Sequence, residues 1–357
     1  MKRFQTEVLA VALLGCAVSA SAQILATQRA GANLPPGQVA APNTPGGGVV
    51  VGSNLYTGDA ANGFRHWKPA DPGNPDPVNT GFLVFDSDPS KSVGGSELCF
   101  FFCKVGQVAY DGNQTVYVTA YDQAKGQPGS VTFPGVWRLI VDPLSGNVQP
   151  DQQLVPKFGL AGNLPNSIAL GPDGNLYVGF IKNGNVVRIV HPALSNTDPT
   201  QIVQSVGTSP NGRPIRSLAF VGPNLYLATS DGLSVIRNAV SSTCQGGCNG
   251  VLVNDGFLGK THVGLASDGI NRVYMSINGV GVYRYTISTG ASQLVSTGGL
   301  DPNTGALLAF AFVGGDSNLI MLDRLGNLWI GDDISDGAAN FSGRIWYMPA
   351  GALASIP

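Results

Sequence analysis

The chain has almost no glutamate. Of its 22 acidic residues only Glu7 and Glu97 are Glu, which leaves 20 Asp, and lysine is nearly as scarce at eight of 357 residues. Glu and Lys normally clothe helix surfaces, whereas Asp and Gly populate turns. A chain so poor in the first pair excludes a helical bundle and a coiled coil. Charged residues are 12% of the total, about half the usual share. The net charge is −2 with no basic block, so the electrostatic footprint of a nucleic-acid binder is missing. There are three histidines, and no Gly-x-Ser-x-Gly elbow, phosphate loop or His-Glu-x-x-His motif. Triad catalysis has no visible support.

What is abundant is punctuation: 49 Gly and 24 Pro. Together with the Asp excess they predict an all-β chain rich in turns.

Lys2 and Arg3 precede an apolar run over 8–15 and then Ala20-Ser21-Ala22. A positive end, a short apolar stretch and a small-residue cleavage site predict a signal peptide over 1–22. Eight apolar residues are too few to span a bilayer, and no later run is long enough, so the mature chain is expected to lack a transmembrane segment. A competing reading makes Leu13-Leu14-Gly15-Cys16 a lipidation box anchored at Cys16. The bulky Leu14 and the clean Ala-Ser-Ala site favour simple export, to periplasm or medium. Residues 23–46 read as a flexible Pro/Gly/Ala-rich lead-in, part of which can supply a ring-closing strand, and 47–357 as a single domain.

Removing Cys16 leaves Cys99, Cys103, Cys244 and Cys248, two C-x3-C pairs. In an oxidising compartment they predict two short disulfides, Cys99–Cys103 and Cys244–Cys248. The alternative is a four-thiolate zinc site, disfavoured because zinc ribbons prefer C-x2-C and no histidine stands near either pair.

One unit recurs along the chain: an apolar strand, a Gly/Asp/Asn turn, then Asn or Arg, Leu or Val, an aromatic and a second strand. Its clearest copy is Ser167-Ile-Ala-Leu-Gly-Pro-Asp-Gly-Asn-Leu-Tyr177. The aromatic marker falls at Tyr56, Tyr117, Tyr177, Tyr226, Tyr274 and Trp329, at intervals of 61, 60, 49, 48 and 55 residues. Periods near fifty with short strands predict β-propeller blades of four antiparallel strands. Six blades are expected, with a seventh as the alternative if residues 307–313 form another inner strand. Gly343-Arg-Ile-Trp-Tyr-Met348 reads as a late strand.

At Pro165-Asn-Ser-Ile-Ala-Leu-Gly-Pro-Asp-Gly-Asn-Leu-Tyr177 and Gly326-Asn-Leu-Trp-Ile-Gly-Asp332 the chain resembles the extracellular NHL-type propellers and the gluconolactonase-like (senescence marker protein-like) six-bladed propellers. The resemblance is architectural. It implies a divalent cation, usually calcium, held at the channel mouth by one Glu, Asn residues and an Asp, with a lactonase or hydrolase activity. Asn166 stands at the family's position before the inner strand, Glu97 and Asp332 are the carboxylate candidates for the metal, and oxygen-only ligation suits a hard cation.

Aligned inner strands place Lys104, Arg216 and Thr261, with His262 beside it, where further ligands are expected; the two cations there would repel calcium and attract an anion. Lys104, Asn166 and Arg216 are therefore the candidates for an anionic small molecule, with an envelope protein as the other partner class. His262, the only histidine on an expected inner strand, and Glu97 are the catalytic candidates. No carboxylate close in sequence is seen to orient His262, so a structural role weighs against a base. Phe100-Phe101-Phe102 cannot all face one side of a strand; an exposed member would mark a partner surface.

Overall fold

The computed structural model describes residues 24–31, 45–52, 54–59, 63–67, 82–85, 103–122, 135–144, 148–155, 164–194, 197–301, 304–312, 319–333 and 343–356. Nearly all the regular structure in them is β. Five sheets are four-stranded antiparallel blades. Their innermost strands are, in order, Pro45–Val51, Cys103–Tyr110, Pro165–Leu170, Ser217–Val221 and His262–Ser267.

The remaining strands form one six-stranded sheet, ordered Leu307–Ala309, Gly298–Leu300, Ala26–Gly31, Gly343–Met348, Leu328–Asp333 and Ile320–Leu322. This corrects the expected count: among the described residues there are five regular blades, not six or seven. Leu307–Ala309 lies at the outer edge of the composite sheet, so it starts no seventh blade. The expected late strand Gly343–Met348 is there, paired antiparallel with Ala26–Gly31 from the start of the chain. The two chain ends thus lock one sheet together. Ile320–Leu322 packs against both His262–Ser267 and Pro45–Val51, and consecutive inner strands pack side by side, so the sheets close into a ring.

The aromatic marker has a structural reason. In register, Tyr56 faces Val49, Tyr117 faces Ala109, Tyr177 faces Ala169, Tyr226 faces Ala219, Tyr274 faces Ala266 and Trp329 faces Met321. In four of the six pairs a large ring on the second strand is set against alanine on the first, which leaves it room to fill the wedge towards the next sheet. The core is accordingly divided into separate layers, each between two neighbouring sheets. One joins Tyr56 and Phe64 to Val105 and Val118, and another joins Tyr177 and Val186 to Leu218 and Leu225. No sheet can bury both faces without its neighbours.

The turns repeat too. The Asp173 carboxylate accepts the Asn175 backbone N–H (3.2 Å), the Asn175 side-chain amide (2.7 Å) and the Tyr177 hydroxyl (3.0 Å). Asp323 likewise takes the Asn327 amide (2.9 Å) and the Trp329 indole N–H (3.1 Å). Gly174 stands at φ +73°, a conformation that favours glycine at the tip. The Asp-Gly-Asn-Leu-Tyr motif is a turn that ties itself to its own aromatic. No helix among the described residues is long and apolar enough to cross a membrane.

Candidate functional site

Each inner strand begins at one end of the central channel and turns into the second strand at the other. Lys104, Asn166, Arg216 and His262 all fall at the strand-start end, on four successive blades. The structure therefore gathers at one end four residues separated by up to 158 positions in sequence (262 − 104).

Asn166 is the link between them. It is 1% exposed, and its amide donates to the carbonyls of Ile215 (3.4 Å) and Arg216 (3.2 Å) on the fourth blade. Its own carbonyl accepts from the Thr119 hydroxyl of the second blade at 3.2 Å. A Cβ on Gly106 would sit 2.2 Å from that same oxygen, so glycine is what lets the second and third blades approach here. The Arg216 backbone N–H donates to Ala228 (2.9 Å), and its side chain is half-buried. Lys104 pairs in register with Tyr121, one residue beyond Cys103.

His262 is turned inward. Its ring is fully buried, with Nε2 2.7 Å from Asp255 Oδ2 and Nδ1 3.0 Å from the Lys260 carbonyl. The Lys260 carbonyl can only accept, so it takes its hydrogen bond from Nδ1. Both nitrogens are engaged within the fold. The orienting carboxylate that the sequence did not reveal is Asp255, brought back by the loop between them. Its Oδ1 accepts the Phe257 N–H at 3.0 Å.

Asp332 lies on the composite sheet and is fully buried. Its oxygens accept from Arg344 Nε (2.9 Å), Trp346 Nε1 (2.8 Å) and the Ala311 N–H (2.9 Å), with Arg344 Nη2 closing the pair. Burial raises its carboxyl above the ordinary value, against the pull of Arg344, Ala311 and Trp346. A carboxylate so occupied does not fit a calcium ligand. Among the described residues no three of His, Cys, Asp and Glu converge in a metal-sized group. Glu97, Cys99, Phe100–Phe102, Cys16 and the expected signal peptide lie outside the described residues. Cys244 and Cys248 form the expected disulfide, with Cα atoms 5.2 Å apart. Their loop donates from Gly246 and Cys248 N–H to Ser205 and Val206, along the third blade's outer strand.

The turn end holds what sequence reasoning passed over. A cavity of about 290 Å³ is walled by the inner strands of all five blades and the composite sheet. Gln107 braces its floor: Oε1 accepts the N–H groups of Ile168 (3.2 Å) and Leu218 (2.9 Å), and Nε2 donates to the Leu218 carbonyl (2.9 Å). One side chain thus joins three blades. At the rim the exposed Arg324 guanidinium lies 5.2 Å from the Tyr110 ring centre. Burial raises the Tyr110 hydroxyl above its usual value, opposed by Arg324 and reinforced by Asp111. A glutamine inside Val105-Gly-Gln-Val108 was the available signal, because a polar side chain on an apolar inner strand needs a partner.

Comparison with known families and with curated proteins finds no match. Among solved structures, the calcium-binding regucalcin of Agrobacterium tumefaciens is similar at TM-score 0.51 and 13% identity, covering 87% of this chain and 91% of that one. A gluconolactonase of Xanthomonas campestris is similar at 0.50 and 13%, covering 86% of each. An auxiliary nutrient binding protein of Bacteroides thetaiotaomicron is similar at 0.53 and 14%, covering 91% and 76%. The resemblance read from the repeat therefore holds at the level of fold: the chain is a β-propeller similar to the gluconolactonase and regucalcin propellers and to a nutrient-binding one.

Proposed function

We propose that the protein is an exported propeller that binds a small anionic ligand at the strand-start end of its channel. The observation that supports this reading is that Lys104 and Arg216 stand at the starts of the two inner strands on either side of the one that carries Asn166. Two cations at one channel mouth raise the local concentration of anions and disfavour a divalent cation. Export rests on the N-terminal pattern, and the Cys244–Cys248 bridge supports it because disulfides persist in oxidising compartments. A second bridge, Cys99–Cys103, belongs to the same reading. A protein partner of the envelope is the alternative occupant of this mouth.

The competing function is a calcium-dependent lactonase or hydrolase using Glu97, Asn166 and Asp332. Asp332 does not fit it, for the reasons above, and no step is assigned through a metal. A thermal-shift screen of phosphate, sulfate and citrate, run in chelator, separates the two. The binding reading expects stabilisation that Arg216→Gln removes and that falls with salt. No stabilisation in chelator, together with lactone turnover on adding calcium, would overturn it.

A further inference from the structure

The cavity runs along the inner strands to the turn end, and Gln107 braces its floor. It is built as a pocket in its own right. Its volume, about 290 Å³, is at the small end of the range for ligand pockets. Its walls are the free edges of inner strands, and such edges present peptide N–H and C=O groups. Two of these edges are already quenched at the floor by Gln107. Nearer the rim the walls offer both donors and acceptors.

The carboxylates at the rim are each held by N–H groups of their own turns and strands. Asp323 spends its carboxylate on Leu325, Asn327 and Trp329. Asp111 folds onto Asn113 and Thr115, and Asp268 onto Ile270, Asn271 and Arg272. Arg324 differs: among the described residues its guanidinium meets no carboxylate and lies over the Tyr110 ring. That ring belongs to the second blade and Arg324 to the composite sheet, so the side chain reaches past the first blade across the mouth. The Tyr110 hydroxyl, donating to the Asn113 carbonyl at 2.6 Å, holds the ring in place beneath it. A guanidinium seated on an aromatic face keeps its N–H edge available for a carboxylate.

We infer that the turn end of the channel is a second ligand site, taking a small hydroxy acid whose carboxylate meets Arg324 and whose hydroxyls meet the peptide edges of the wall. This site is independent of the strand-start mouth. Its test is calorimetric titration of the disulfide-intact protein, in chelator, with acetate, glycolate, lactate and citrate. The hydroxy acids should bind more tightly than acetate. Arg324→Gln should weaken them about tenfold with an unchanged melting temperature, since the side chain is exposed, and Tyr110→Ala should weaken them too. Arg216→Gln should leave this binding intact. The inference is overturned if none of the four binds, if acetate binds as well as the hydroxy acids, or if Arg324→Gln binds like the wild type. Binding abolished by Arg216→Gln alone would also overturn it, while supporting the strand-start site.

Discussion

Asp332→Asn separates a structural carboxylate from a metal ligand. The substitution keeps size and removes the charge. In the wild type Asp332 is 0% and Arg344 2% exposed, and the carboxylate accepts four hydrogen bonds, two of them from Arg344. Arg344 also donates to the Ala309 carbonyl at 2.9 Å, tying Leu328–Asp333 and Gly343–Met348 to the end of the outer strand Leu307–Ala309. Breaking a buried pair from one side strands the other charge, at a cost of about 3–5 kcal/mol. Against a typical stability of about 5–15 kcal/mol that is a severe loss. Urea denaturation followed by tryptophan fluorescence is the assay, since Trp329 and Trp346 are buried in this sheet and report its opening. The midpoint should fall with little change in slope, whether or not calcium is present. A loss below about 1 kcal/mol, with calcium stabilising the wild type but not the variant, would refute the reasoning and return Asp332 to the metal reading.

Other expectations follow from the same geometry. Gln107→Glu removes the donor to the Leu218 carbonyl and sets an acceptor against it; chemical denaturation should show a loss of about 1–3 kcal/mol, and an unchanged midpoint would contradict the brace. Burial pushes the Asp268 carboxyl up, but the N–H groups of Asn271, Arg272 and Ile270 outweigh it, and the net shift is downward. Its contribution is therefore present above the unfolded carboxyl value of about 3.9 and is lost as pH falls through the lower folded one. Melting curves across acid pH should show a smaller decline in Asp268→Asn than in the wild type, and parallel declines would refute it. Cys244→Ser with Cys248→Ser opens a loop of separation 4 and should cost about 2 kcal/mol on the chain-entropy account. Non-reducing peptide mapping of the exported protein should also recover Cys99 joined to Cys103; free thiols there would contradict the second bridge.

The propeller was legible because its signals are local. Asp173-Gly174-Asn175-Leu176-Tyr177 encodes a turn, its carboxylate clasp and its aromatic filler within five residues. Inner-strand starts can be aligned from that marker, and Lys104, Asn166, Arg216 and His262 all stand at such starts. The blade count failed for the opposite reason. The composite sheet draws Ala26–Gly31, Gly298–Leu300 and Gly343–Met348 from distant parts of the chain, and nothing local in Gly298–Leu300 says that it will pair in parallel with Ala26 and Thr27. The site residues divide the same way. Asn166 showed itself by position. The partners that decide what His262 and Asp332 do, Asp255 and Arg344, are set by loop return and strand pairing. Arg324 was hidden because it sits in a turn whose motif already had an architectural explanation, and its aromatic seat lies two sheets away.

The central claim is that the strand-start mouth is an anion site. An anomalous difference map from crystals soaked in selenate, with calcium present, tests it most directly. The account predicts a selenate peak within hydrogen-bonding distance of Arg216, at the strand-start end of the channel, and no cation at Asp332. A calcium peak held by Glu97 and Asn166, with no oxyanion at Arg216, would contradict it.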